Sequence, residues 1–168
     1  MMQALPRVSH EHHARMWHFV EQLDTLADCM DCDCLDTARF VALLPELQAV
    51  HDGLTGTIIP HMDTVEAAVH PTLERLLAGR SETIPLVIEH AEIRRLVEAL
   101  GGFIARHRVH AGRGDVLQLR RILLRLHALS KAHLAEEELY IPILEGWLNP
   151  AEEAALARAL DHVVAERL

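Results

Sequence analysis

Cysteine is scarce in this chain, three in 168 residues, which excludes a disulfide framework and fits a reducing, cytoplasmic setting. Aromatic residues make up only 4%, and runs of valine and threonine are sparse while leucine and alanine abound. That balance favours helix over sheet. Basic charge is short too, with 16 Lys+Arg against 25 Asp+Glu and a formal charge of −9. Without a basic patch to neutralise phosphates, neither nucleic acid nor an anionic membrane is the expected partner. No apolar run approaches the roughly 20 residues that span a bilayer, and residues 1–10 lack the apolar core of a signal peptide. Nucleophile–base pairs, phosphate loops and dinucleotide fingerprints are missing as well.

What remains is half hydrophobic, enough for one good core, and a single domain over residues 1–168 is the expectation. A first helix is predicted from about Ser9, as N-cap, to Met30, with Met16, Phe19, Val20, Leu23, Leu26 and Ala27 on its inner face. A polar turn at residues 31–36 leads to a long second helix ending near Leu77. Gly53, Gly56 and Pro60 fall inside it and are expected to bend it without ending it. A third helix is predicted over Ile84 to His107 and a fourth over Asp115 to Leu148. Asn149-Pro150, followed by Glu152 and Glu153, then reads as the start of a short fifth helix. Four long amphipathic helices with short connections predict an all-α fold, an up-down-up-down four-helix bundle with a short C-terminal fifth helix.

Histidine is the residue in excess, 13 of 168, and several lie on apolar faces. His133 and Glu137 are four apart, roughly 40° of helical rotation, so imidazole and carboxylate leave the same side. Ile122, Leu126, Leu129 and Tyr140 share that side. Two polar groups aimed into a core need a partner there, and a metal ion is the obvious one. In helix 1, His12 lies within roughly 20° of the inward direction and His13 roughly 85° off, so His12 is the first choice and His13 the fallback. In helix 2, Glu66 lies near the middle of the face set by Ile59, Met62, Val69 and Leu73. His61 and His70 flank it, and a bend near Pro60 or Pro71 brings either inward. His90 borders the inner face of helix 3.

The candidate ligands are therefore His12, His61, Glu66, His70, His90, His133 and Glu137. An imidazole-rich set with carboxylates and no thiolate suits iron, manganese or zinc. It is too large for one tetrahedral zinc, and two ions sharing carboxylates fit the number better.

Placed in order on four helices, these residues resemble the hemerythrin-like (HHE cation-binding) family. The likeness rests on Glu11-His12-His13, on Ile59-Pro60-His61 with Glu66 and Pro71, on Glu89-His90, and on His133-x-x-x-Glu137 with Tyr140 and Pro142. It implies a four-helix bundle holding two non-haem iron ions, oxo- or hydroxo-bridged, that bind or react with O2, peroxide or NO in stress protection or sensing. Peroxide disproportionation is the enzymatic activity it suggests. The chain departs from the family at Val65, where the helix 2 carboxylate usually stands, and at Arg94, where oxygen carriers often have a second histidine. A ferritin-like site needs Glu-x-x-His on two helices, and no histidine here has that glutamate. The competing class is a helical interaction or regulatory module whose histidines hold structural zinc or nothing. Cys29, Cys32 and Cys34 form a separate cluster, suited to a soft metal or a redox role.

Overall fold

The computed structural model describes residues 4–30, 36–77 and 83–165, with the side chains of 4–9, 12 and 162–165 outside the description. Among these residues the fold is all-helical, with no strand. We number five helical rods: α1, Ala4–Cys29; α2, residues 37–76; α3, Ile84–Arg106; α4, Arg113–Trp147; and α5, Pro150–Ala165. No helix is long and apolar enough to cross a membrane among the described residues. Helix α1 lies along α4 and α5, α3 packs on α4 and on the first half of α2, and α5 also meets the second half of α2.

The predicted boundaries differ from the observed ones by a few residues at most ends. The start of α1 is the clear exception. The helix already runs from Ala4, so Ser9 lies inside it and is not its cap. At α2, the Asp36 carboxylate accepts from the Arg39 N–H at 2.8 Å, which satisfies one of the orphan donors of the first turn. At α5, Asn149 Oδ1 accepts from the N–H groups of Ala151 and Glu152 while the Glu152 carboxylate accepts from the Asn149 N–H. With Pro150 following, this is the capping arrangement read from the sequence.

The second rod is not a regular α-helix. It contains two π-helical turns, Leu54–Ile58 and Val65–Val69, separated by the α-helical segment Ile59–Thr64. Each lies just before a proline, Pro60 and Pro71. A proline ring clashes with the carbonyl four residues back and leaves it without a donor, and a widened turn relieves both. The buried positions show why the widening is kept. Val50, Leu54, Ile58 and Met62 recur every four residues, as do His61, Val65, Val69 and Leu73, and all are buried. On an ideal α-helix such a series would drift by about 40° per step away from the core. The wide turns take back that drift, so one side of the rod stays inside throughout. Gly53 permits close packing here, because a Cβ on it would stand 2.2 Å from the Phe19 ring.

Two apolar clusters form the core. The larger joins α1, the first part of α2, α3 and α4 around residues such as Met16, Leu54, Met62, Ile93 and Leu123. The smaller joins the end of α2 to α4 and α5 through Val65, Val69, Leu73, Leu144, Leu156 and Leu160. Between Met62 and Val65 along α2, and between Leu134 and Leu144 along α4, the chain passes from one cluster to the other. The buried histidines lie at that passage.

Candidate metal centre

Four rods supply buried polar groups to one place: His13 from α1, His61 and His70 from α2, His90 from α3, and His133 with Glu137 from α4. His13 reaches it because it continues the three-four spacing of Met16, Val20, Leu23, Ala27 and Met30, all of which are buried. That series is legible in the sequence. A face averaged over the whole helix ignores the drift of a seven-residue series, about 20° per heptad, and at the N-terminal end that drift carries the series to His13. The His12 side chain lies outside the described residues; its neighbour His13 is 2% exposed and joins the cluster.

Glu137 is the hub. Its Oε2 lies 2.8 Å from His61 Nε2 and 3.1 Å from His13 Nε2. Its Oε1 lies 3.2 Å from His133 Nε2, without the alignment of a hydrogen bond. His133 Nε2 is in turn 3.2 Å from His90 Nε2. Two groups of ligand atoms result, His13–His61–Glu137 and His90–His133–Glu137, each with all its atoms within 4.8 Å of one another. Ligands bound at about 2.1 Å and subtending angles between square and tetrahedral stand roughly 3.0–3.4 Å apart. The separations around Glu137 are close to that range, so the residues present fit a metal ion in either group. One carboxylate offers an oxygen to each.

Electrostatics support the same arrangement. Burial alone would raise the Glu137 carboxyl, but the imidazoles of His61, His13 and His133 overrule it and hold the group well below the usual carboxylate range. It is an anion in a dry interior. His90 is pushed down to about 4, first by burial and then by His133. Its imidazole is therefore neutral near pH 7. Burial likewise depresses His70, while His133 is raised, because Glu137 outweighs the burial that opposes it.

Glu66 stands outside both groups. Its Oε1 accepts from His90 Nδ1 at 2.6 Å and from the Arg94 guanidinium at 2.9 Å. Arg94 also donates to Asp63 at 2.6 Å. Burial would raise the Glu66 carboxyl, yet His90 and Arg94 hold it down. An ionised carboxylate only accepts, so the proton of neutral His90 sits on Nδ1 and Nε2 presents a bare lone pair toward His133. A carboxylate behind a ligand histidine is the usual means of fixing its tautomer and its ring plane. The role of Arg94 was not visible in the sequence, where it registered only as a missing histidine. Its spacing of four from His90 was the available signal.

His70 is buried but belongs to neither ligand group. Its ring stacks on His90, with centroids 5.6 Å apart and planes 20° from parallel. Both of its ring nitrogens are buried and neither is hydrogen-bonded. Together with His13, His61, Glu137 and Tyr140 it lines a cavity of about 30 Å³ whose other walls are aliphatic.

Glu89 and Glu136 form an outer acidic pair, and burial and Glu136 raise the Glu89 carboxyl. Cys29 is exposed and a free thiol, while Cys32 and Cys34 lie outside the described residues. Compared with known proteins, the chain matches no family profile, no curated protein and no solved structure.

Proposed function

We propose that the chain is a non-haem di-iron protein of the hemerythrin-like kind. In this reading its four long rods form an up-down-up-down bundle that binds or reacts with O2, peroxide or NO, in stress protection or sensing inside the cytoplasm. The observation that carries the proposal is Glu137, a buried carboxylate with one oxygen against His13 and His61 and the other against His133, and a member of both ligand groups. His13 and His61 with one oxygen would hold the first ion; His90 and His133 with the other would hold the second. Mixed nitrogen and oxygen donors without thiolate suit iron. When bound, a pair of irons supplies electron exchange with small oxidants.

The protein's own part is positional. Glu66 keeps the His90 proton on Nδ1, so Nε2 is available as a ligand. Val65, Val69, Leu73, Leu86 and Leu144 wall the adjoining cavity and limit water. Its size suits two or three non-hydrogen atoms, which fits a diatomic or a peroxide.

Protein purified without a histidine tag should carry two irons per chain and show near-ultraviolet and visible absorption that responds to O2, peroxide or NO. Peroxide disproportionation is the activity to assay first. His133→Ala combined with Glu137→Ala should abolish iron binding and lower the melting temperature of metal-loaded protein, since bound metal stabilises only the folded state. Full iron occupancy in the double variant would overturn the ligand assignment. Zinc alone, or no metal, in the wild type would favour the structural-zinc or interaction-module reading.

A further inference from the structure

Besides Tyr140, the cavity next to Glu137 has a polar side chain, His70, that the two ligand groups do not use. His70 is 4% exposed, and its Nδ1 and Nε2 are both buried and without a hydrogen-bond partner. A neutral imidazole carries one donor and one acceptor, and leaving both unmet inside a fold is costly. The chain nevertheless goes to some length to place it there. On a regular α-helix His61 and His70, nine residues apart, would point to opposite sides. The wide turn Val65–Val69 intervenes, and both are buried. The parallel ring of His90 then fixes the plane of the imidazole. A leucine at this position would fill similar space at no polar cost, so packing does not account for a histidine.

We propose that His70 is the hydrogen-bonding partner of the small molecule taken up in this cavity, and not a metal ligand. The occupant must fit about 30 Å³ and carry a polar atom that meets an imidazole N–H or lone pair. Diatomic oxides, peroxide and small linear anions have that chemistry. This inference rests on the di-iron reading for the class of occupant.

The test compares iron-loaded wild type, His70→Leu and His70→Asn, using sodium azide as probe and three readouts: iron content, azide dissociation constant and melting temperature of the metal-free protein. Both variants should keep two irons per chain. Azide affinity should fall tenfold or more in the leucine variant, as expected for loss of a hydrogen bond to an anion, and recover in part with asparagine, which retains a donor. Metal-free His70→Leu should melt a few degrees above wild type, because an unmet polar group has been removed from the interior. Azide affinity unchanged within twofold, or no azide binding by iron-loaded wild type, would overturn the proposal. Loss of iron from the variants would make His70 a ligand and overturn it as well, as would failure of both variants to fold. A wild type that takes up no iron would instead sink the di-iron reading itself.

Discussion

At the scale of single residues, the separation between Glu137 and Glu66 decides most of the chemistry. Both are glutamates on inner faces, and both are held ionised by nearby cationic or donating groups. Glu137 is in the middle of the imidazoles, whereas Glu66 is one step behind, on the far nitrogen of His90. Glu66→Gln should leave the fold intact and weaken metal binding by about 10–100-fold, the usual effect of removing the partner behind a ligand histidine. Competition with a chelator of known affinity measures this; unchanged affinity would show that His90 needs no orienting carboxylate. His133 and Glu137 could be read from the sequence because a spacing of four on one apolar stripe is unambiguous. His13 is harder to read, because a face averaged over the helix favours His12 while the seven-residue series that ends at Met30 reaches His13. Arg94 could not be found by looking for ligands, because its effect passes through Glu66.

At the scale of the element, α2 shows how backbone geometry can reposition side chains. A regular helix would turn residues after Val69 away from those before Val65, and the wide turn holds both on the inner side. Deleting Ala67, an exposed residue of that turn, should convert it to an ordinary α-helical turn. Because the wide turn accommodates one extra residue, its removal would leave everything after it in nearly the same rotation relative to His61. Circular dichroism should then report nearly the same helix content, and metal binding should persist. Loss of metal would mean that the site needs the wide turn itself and not only the phase it sets. The helices themselves were legible from composition, caps and periodicity. The π turns were not recognised, although a buried series recurring every four residues through two prolines marks them in retrospect. From sequence those prolines predict bends, since proline usually acts through a kink.

At the scale of the whole molecule, the histidine layer lies between two apolar clusters and draws one side chain or more from each of four rods. Among the described residues, the buried apolar side chains fall into two clusters separated at this level. Cross-linking by metal would supply the missing continuity, and metal bound at a thousand times its dissociation constant adds about 4 kcal/mol of stability. All-helical character was the easiest property to foresee, because alanine, leucine and sparse aromatics leave few alternatives. The division of the core was not foreseeable, since it depends on which apolar residues of α2 and α4 meet which partners.

That division predicts how the protein loosens when its cations are chelated. The stratum of imidazoles would then insulate two oily compartments, and the smaller one is held by fewer buried apolar side chains among the described residues. Amide hydrogens of residues 65–76 and 150–160 should exchange with deuterium well before those of residues 86–104, whereas the loaded protein should protect both sets together. Removing metal would thus uncouple one end of the molecule from the other, and equal exchange at both ends after chelation would show that the interior behaves as a single block.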